Sequence, residues 1–284
     1  MENFAGLTPP YSDYETAKIV VLPVPYDATS SWVHGAEKGP EKLLEASVQL
    51  EWYDTETRTE VYKHGIHTAQ PVDEQRSPEH LCAAVEQRVG ALFDDAKFPV
   101  TIGGNHTVSI GAIRAAAQRY DNLTVLQLDA HSDLRRTYEG SELNHACVMN
   151  QAKKVAHITQ VGIRSQCIEE TDNFDPERIF WARDIYFDHT CQWEEKAYAT
   201  LTQNVYLTID LDVFDTGILA ATGTPEPGGL HYFQVLHFLR PLFERFNVVG
   251  CDIVELCPKP NLHASDYLAA RLAYQLMTYK FLQK

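Results

Sequence analysis

Positively charged side chains are scarce in this sequence of 284 residues. It has 24 Lys plus Arg against 39 Asp plus Glu, which gives a formal net charge of −15 at pH 7. No run rich in Lys and Arg interrupts this acidity. Because a protein that binds nucleic acid needs a basic surface to neutralise phosphates, the composition argues against nucleic acid as a partner. A small cationic ligand fits this charge better.

Long apolar runs and paired cysteines are also missing. No apolar stretch approaches the roughly 18 residues needed to cross a bilayer, and the first residues lack the basic start and apolar core of a secretory signal. We therefore expect a cytoplasmic protein without membrane association. The 6 Cys form no CxxC pair, so the pattern predicts neither a thiolate metal site nor a disulfide framework. We expect the cysteines to be buried free thiols.

Short β-rich runs alternate with longer segments of helical period along the whole chain. This alternation predicts an α/β fold with a parallel sheet covered by helices on both faces. The predicted strands are 18–24, 98–102, 123–128, 156–161, 204–209 and 247–254. The predicted helices are 78–96, 109–120, 231–246 and 265–281, with a shorter one after Gly39-Pro40. No repeat or linker divides the chain, so we expect a single domain over residues 1–284.

Polar residues follow four of the predicted strands at the point where each strand ends. The strand at 98–102 is followed by His106, and the strand at 123–128 by the segment 129–133, Asp-Ala-His-Ser-Asp. The strand at 204–209 runs into Asp210-Leu211-Asp212, and the last strand ends at Glu255. Because loops at the carboxyl ends of parallel strands converge at one edge of a sheet, we expect these side chains to form one site.

The spacing within these segments brings carboxylates together. In extended backbone alternate side chains project from the same face, so Asp129, His131 and Asp133 can converge, as can Asp210 and Asp212. Like charges about 4 Å apart repel by about 4 kcal/mol per pair at an effective dielectric constant near 20. Divalent cations remove that repulsion. Carboxylates with two imidazoles and no thiolate favour Mn(II) over zinc, and shared carboxylates suit two ions.

Each motif taken alone has an ordinary explanation. A lone DxD is commonly a solvated loop or a helix cap, and a lone Gly-Gly-Asn-His is hardly more specific. The metal interpretation depends on the motifs occurring together, each after a separate strand. With the exception of His145, we expect the other histidines to be surface or structural groups, namely His34, His64, His67, His80, His157, His189, His231, His237 and His263.

Together these segments resemble the signatures of the ureohydrolase superfamily, which contains the arginases and agmatinases. The matching segments are residues 103–106, 129–133 and 208–215, the last followed by 222–229. The resemblance extends from residues 23–27 to 254–256. It implies a three-layer α/β/α fold with a mainly parallel central sheet, two Mn(II) ions per subunit, and hydrolysis of a guanidino group to urea and an amine.

The resemblance also implies a set of metal ligands. One ion would be held by His106, Asp129, Asp133 and Asp210, and the other by His131, Asp129, Asp210 and Asp212. A water between two divalent ions loses a proton near neutral pH and becomes a hydroxide that can attack the guanidinium carbon.

Three side chains would take part in the reaction by the same resemblance. Asp133 would orient the hydroxide. Glu255 would bind the guanidinium, whose fork of N–H donors matches a carboxylate. His145 would contact the substrate and give a proton to the leaving amine or shuttle one to solvent.

The loop after Asp133 bears on the choice of substrate. Residues 134–146 resemble the loop of prokaryotic agmatinases and lack the arginase features that bind an α-amino and α-carboxylate group. We therefore expect agmatine as the substrate, with putrescine and urea as products in polyamine biosynthesis. Glu139 or Glu142 is a candidate contact for the amine, and the alternative is that both are solvated loop carboxylates. Thr216, Ala220-Ala221 and Cys257 depart from the family pattern, although none is a predicted ligand.

Other functions are also compatible with the sequence. A guanidinobutyrase, an arginase or a formimidoylglutamase would use the same metal ligands, although we do not expect the continuation Asn144-His145-Ala146 in a formimidoylglutamase. A non-catalytic regulator of the same fold is a further alternative, and the complete ligand set argues against it. The resemblance also implies a homo-oligomer, either a trimer or a hexamer.

Overall fold

Eight parallel strands form one sheet in the computed structural model, which describes residues 2–282. In chain order they are β1 Ile19–Val24, β2 Ile66–Thr68, β3 Phe98–Gly103, β4 Leu123–Leu128, β5 His157–Ile163, β6 Ile179–Trp181, β7 Asn204–Asp210 and β8 Asn247–Val254. Their order across the sheet is β2-β1-β3-β8-β7-β4-β5-β6. Each neighbouring pair is parallel.

Helices occupy most of the connections between these strands. They are α1 Gly39–Ser47, α2 Pro78–Asp94, α3 Val108–Ala117, α4 Val148–Ala152, α5 Ala182–Phe187, α6 Gln192–Ala199, α7 Tyr232–Arg245 and α8 His263–Lys280. Over residues 2–282, none of the helices combines the length and the apolar character that crossing a membrane requires.

The sheet separates two hydrophobic cores. In β1, Ile19 and Val21 belong to one core, whereas Val20 and Leu22 belong to the other, because successive side chains of a strand point to opposite faces. Residues of α1 and of α5 to α8 complete the first core, and residues of α2, α3 and α4 complete the second. The predicted three-layer α/β/α fold with a parallel central sheet is confirmed.

The six predicted strands and five predicted helices are all present, with ends that shift by up to three residues. The sequence analysis missed β2 and β6, which lie at the two edges of the sheet and have three residues each. It also missed α4, α5 and α6, which have five, six and eight residues. Elements this short do not complete enough periods of an apolar pattern to be recognised in a sequence.

The cysteines correct one expectation. All are free thiols, as predicted, and Cys82, Cys147, Cys251 and Cys257 are buried. Cys167 is only half-buried and Cys191 is exposed, so the prediction that the cysteines are buried was wrong for these two. The reason for Cys191 is its place at the start of α6, in a surface turn.

The strands that carry the candidate site residues are neighbours in space. The sheet places β3, β8, β7 and β4 side by side, although about half of the chain separates β3 from β8. Because all four run in the same direction, their carboxyl ends lie along one stretch of the sheet edge. This adjacency brings the predicted site together.

Glycine is required directly after β3. The amide of Gly104 donates to the carbonyl of Val24 at 2.9 Å, and the amide of Asn105 donates to the carbonyl of Tyr26 at 2.8 Å. A Cβ atom at position 104 would lie 2.0 Å from the Tyr26 carbonyl oxygen. The loop that presents His106 therefore rests on the chain after β1 at a distance that only glycine permits.

We expect Gly104→Ala to lower the free energy of unfolding by about 1–3 kcal/mol, because overpacking forces the backbone apart. Urea denaturation followed by circular dichroism measures the change. Gly217→Ala is a suitable control, since position 217 is exposed and a Cβ there would meet only a side-chain oxygen of Asp215 at 3.1 Å. Equal stability losses in the two variants would contradict the close-approach argument.

Candidate metal centre

Two imidazoles and four carboxylates meet beyond the carboxyl ends of β3, β4 and β7. His106 Nδ1 lies 3.1 Å from Asp129 Oδ2, 3.0 Å from Asp133 Oδ2 and 3.4 Å from Asp210 Oδ2. All four of these residues are buried. The structure thus brings together the residues that the sequence analysis assigned to the first ion.

The second imidazole extends the same cluster. His131 Nδ1 lies 2.8 Å from Asp212 Oδ2 and 3.7 Å from Asp129 Oδ1. The ligand atoms of Asp129, His131 and Asp212 lie within 4.8 Å of one another, as do those of His106, Asp129 and Asp210. Because Asp129 belongs to both groups, the arrangement fits two ions that share its carboxylate.

Backbone amides hold one oxygen of three of the carboxylates. Asp210 Oδ1 accepts from the Asp212 amide at 2.8 Å, and Asp212 Oδ1 accepts from the Ala130 amide at 2.9 Å. Asp129 Oδ1 accepts from the His131 amide at 2.6 Å. These bonds orient the carboxylates toward the centre of the cluster.

The ring of His106 is oriented by a chain of hydrogen bonds on its other side. Its Nε2 lies 2.9 Å from Thr208 Oγ1, and that hydroxyl donates to Asp252 Oδ1 at 2.6 Å. Because the Thr208 hydroxyl donates its hydrogen to Asp252, its oxygen accepts a hydrogen bond from His106 Nε2–H, and Nδ1 is left as the nitrogen available to a metal. His106 Nδ1 is buried and has no hydrogen-bond partner in the described structure, although three carboxylate oxygens surround it. A divalent ion would satisfy this atom, so the residues fit a metal.

Two buried glutamines support Asp129, and the sequence analysis missed both. Gln127 Nε2 donates to Asp129 Oδ2 at 2.7 Å. Gln160, opposite Gln127 on β5, donates to Gln127 Oε1 at 2.5 Å and to the Ser132 carbonyl at 2.7 Å. The available signal was a polar residue inside a strand whose other residues are apolar, since such a residue needs a buried partner.

The pKa values of the cluster show its uncompensated charge. Burial raises the pKa of Asp133 to about 7, with a further contribution from Asp129. Burial also raises the pKa of Asp210 well above its ordinary range, and Asp212 adds to this. Burial opposes charging of His131, but Asp212 and Asp129 outweigh it and raise the pKa to about 12. Without a metal, the cluster therefore holds protons in place of cations.

Glu255 stands beside the cluster at the end of β8. Its amide donates to the Gly104 carbonyl at 2.7 Å, and its Oε1 accepts from the His106 amide at 2.8 Å. Burial raises the pKa of this carboxyl to about 8. Glu255 also lines a cavity of about 270 Å³ that contains His106, His131, Asp133 and His145 among its walls. The predicted substrate contact thus lies next to the predicted metal ligands.

His145 lines the same cavity and packs edge-on against Tyr138, with ring centroids 5.7 Å apart. Burial, together with the positive charges of His106 and His131, lowers the pKa of His145 to about 4. Its imidazole is therefore neutral at pH 7. In this state the imidazole must first take up a proton before it can donate one.

The two carboxylates of the loop after Asp133, Glu139 and Glu142, lie outside the cavity wall. Glu139 is exposed in the turn between Tyr138 and Ser141, outside the cavity wall, so the structure does not support its predicted contact with the substrate amine. Glu142 pairs with Lys154 at 2.9 Å on the surface. This agrees with the alternative that both are solvated loop residues.

The cavity wall contains a different carboxylate, Glu170, which the sequence analysis missed. Its Oε1 accepts from the Leu134 amide at 2.7 Å and its Oε2 from the Cys167 amide at 2.8 Å. Among residues 2–282, no Lys or Arg forms an ion pair with it. It is thus a buried carboxylate with a fixed position and no cationic partner from the described chain.

Arg164 is a further residue that the sequence analysis missed. Its guanidinium donates to the carbonyls of Asp212 at 2.6 Å, Glu226 at 2.8 Å and Pro227 at 3.1 Å. It thereby ties the loop that carries Asp212 to the segment 222–229. The sequence signal was an arginine directly after the end of a strand.

Known proteins are similar to this chain over most of its length. The model of the arginase family matches residues 17–279. An N(1)-aminopropylagmatine ureohydrolase of Synechocystis is 41% identical over 94% of this chain and 90% of its own length. An agmatinase of Pyrococcus horikoshii is 30% identical over 94% of each chain.

Solved structures are similar over nearly the whole fold. The agmatine ureohydrolase of Thermoplasma volcanium superposes with a TM-score of 0.87 at 30% identity, covering 99% of this chain and 95% of that one. An arginase from Bacillus subtilis superposes with a TM-score of 0.77 at 22% identity, covering 91% of this chain and 98% of that one. At that identity the arginase shows a shared fold alone.

We expect divalent ions to release protons when they bind to the metal-free protein, because metal ligands must be deprotonated. Asp133, with a pKa of about 7, and His131, with a pKa of about 12, hold protons that an ion must displace. Affinity for Mn(II) should therefore rise from pH 6 to pH 8, about tenfold per pH unit for each proton released. Calorimetry in two buffers of different ionisation enthalpy counts the protons. Binding without proton release would contradict the charge balance described here.

Proposed function

The chain belongs to the arginase family and is a ureohydrolase acting on guanidino groups, and we propose that its substrate is N(1)-aminopropylagmatine or agmatine. The proposed products are urea and a polyamine. Relatives over more than nine-tenths of the chain bear one or the other of these names, with the aminopropyl form at 41% identity. We give preference to the aminopropyl compound for that reason, and agmatine is the second substrate of the same class.

The observation that carries this proposal is the placement of two carboxylates in the cavity wall apart from the metal cluster. They are Glu255, beside the cluster, and Glu170, on the loop after β5. A carboxylate matches the N–H fork of a guanidinium, and a second carboxylate matches an amine. The described cavity wall therefore offers acceptors for both charged ends of an aminoalkylguanidine.

The metal centre would hold two Mn(II) ions. Carboxylate oxygens with two imidazoles suit this ion, and the ligands are His106, Asp129, His131, Asp133, Asp210 and Asp212. Two divalent ions would supply neutralisation of the buried carboxylates and a nucleophile at neutral pH.

Three side chains of the cavity would bind the guanidinium, orient the nucleophile and transfer a proton. Glu255 has one oxygen bound to the His106 amide, so its Oε2 is free to accept from the guanidinium. Asp133, beside His106, would orient the nucleophile toward the guanidinium carbon. His145, neutral at pH 7, would accept a proton and deliver it to the leaving amine nitrogen.

One observation favours a second candidate substrate. Arg135 also lines the cavity, with its guanidinium 4.8 Å from the centre of the Tyr138 ring. A guanidinium in this position could bind a carboxylate at the far end of a substrate such as guanidinobutyrate. A substrate panel therefore has to include a carboxylate-bearing guanidine.

We expect the Mn(II)-loaded protein to release urea from N(1)-aminopropylagmatine with a kcat/KM about tenfold above that for agmatine, which corresponds to one additional charge-assisted hydrogen bond. Guanidinobutyrate and arginine should react more slowly still. Urea release by each compound at equal enzyme concentration gives the comparison.

An Asp210→Asn variant is the control for the metal centre, because it removes a ligand shared by the two predicted ions. The variant should lose its bound Mn(II), and it should no longer release urea. Faster turnover of guanidinobutyrate than of either amine-bearing compound would replace the proposed substrate with the second candidate. Absence of turnover with every guanidine would contradict the proposal as a whole.

We expect Glu170→Gln to lower kcat/KM for agmatine by tenfold or more, since a hydrogen bond to a charged group contributes about 1.5–3 kcal/mol. The effect should be much smaller for butylguanidine, which has no amine. Glu139→Gln is the matched control, because Glu139 is exposed outside the cavity, and it should leave both values unchanged. A loss confined to Glu139→Gln would restore the role that the sequence analysis gave to Glu139.

The homo-oligomer implied by the resemblance also belongs to this proposal. Sedimentation of the purified protein distinguishes a trimer from a hexamer.

A further inference from the structure

A second group of metal-ligand side chains lies at the surface, away from the cavity. Cys191 precedes α6, Glu194 is in its first turn, and His237 is in α7. One ligand atom from each lies within 4.8 Å of the other two. None of the three lines the cavity or belongs to the cluster around Asp129.

Glu194 is a buried carboxylate without a full countercharge. The residue is 8% exposed, and its Oε1 lies 2.9 Å from His237 Nδ1. Among residues 2–282, no Lys or Arg forms an ion pair with Glu194, and Arg245 pairs with the adjacent Glu195 at 2.6 Å. A bound cation would balance the negative charge of this buried carboxylate, which otherwise faces only an imidazole.

Cys191 adds the sulfur ligand. It is exposed, so an ion can reach it from solvent. Its pKa is raised by partial burial and by the carboxylates of Glu194 and Asp188, which means that negative charge surrounds the sulfur. A divalent ion would compensate that charge and stabilise the thiolate.

We propose that Cys191, Glu194 and His237 form a second metal site that binds one zinc ion, with water as the fourth ligand. Thiolate, imidazole and carboxylate in one site are typical ligands of zinc, whereas the centre in the cavity is rich in oxygen and has no thiolate. Binding displaces the thiol proton to solvent, and His237 would bind the ion through a ring nitrogen that carries no proton. The ion would join the start of α6 to α7.

Cobalt(II) is a suitable probe, because a thiolate ligand gives it a charge-transfer absorption in the near ultraviolet that oxygen and nitrogen ligands do not give. We expect this absorption when Co(II) is added to protein whose cavity centre is already loaded with Mn(II). The absorption should be absent in Cys191→Ser. In His237→Gln the apparent affinity for Co(II), measured from the same absorption, should be at least tenfold lower. Cys167→Ser is the matched control and should keep the absorption, since Cys167 is the other cysteine with solvent access.

A second measurement needs no variant. Zn(II) should slow alkylation of Cys191 by iodoacetamide at least tenfold in the Mn(II)-loaded protein, as followed by mass spectrometry of the peptides, and should not slow alkylation of Cys167.

Three results would each overturn the site. They are no thiolate-to-cobalt absorption at equimolar Co(II), an absorption that persists in Cys191→Ser, and equal alkylation of Cys191 with and without Zn(II). Urea release by Cys191→Ser should equal that of the unmodified protein, so this site and the proposed substrate are tested separately.

Discussion

The mutual repulsion of four buried carboxylates is the constraint on which the rest of this structure depends. Asp129, Asp133, Asp210 and Asp212 are all buried and all lie within reach of two imidazoles. In the absence of an ion, burial and the neighbouring Asp129 raise the pKa of Asp133, and Asp212 and Asp129 raise that of His131 against the effect of burial, so protons balance part of this charge. Divalent cations bound between these side chains would replace those protons and balance the charge.

The surrounding structure keeps these carboxylates from moving apart. Backbone amides bind one oxygen each of Asp129, Asp210 and Asp212, and Gln127 binds the second oxygen of Asp129. Further out, Arg164 joins the Asp212 loop to the segment 222–229. A centre whose ligands repel one another needs such support, because ligands without it would relax away from the geometry that binds metal.

The cavity centre and the surface cluster differ in the chemistry of their side chains. The first is rich in carboxylates, lies at the edge of the sheet and lines the cavity. The second combines a thiol, an imidazole and one carboxylate between two helices. Hard oxygen ligands and a soft sulfur ligand favour different ions, which is the basis for proposing manganese at the first and zinc at the second.

The sequence by itself determined the alternation of strands and helices, the candidate metal ligands and the family. It could do so because these features depend on local spacing: apolar periods define the central strands, and period-two spacing places Asp129, His131 and Asp133 on one face. Strand order, the two edge strands and the partners of the loop carboxylates were decided only by the tertiary structure. Glu139 lies close in sequence to the metal ligands and points outward, whereas Glu170 reaches the cavity from a distant loop. Cys191 and His237 meet for the same reason, since packing of α6 on α7 joins residues that share no local pattern.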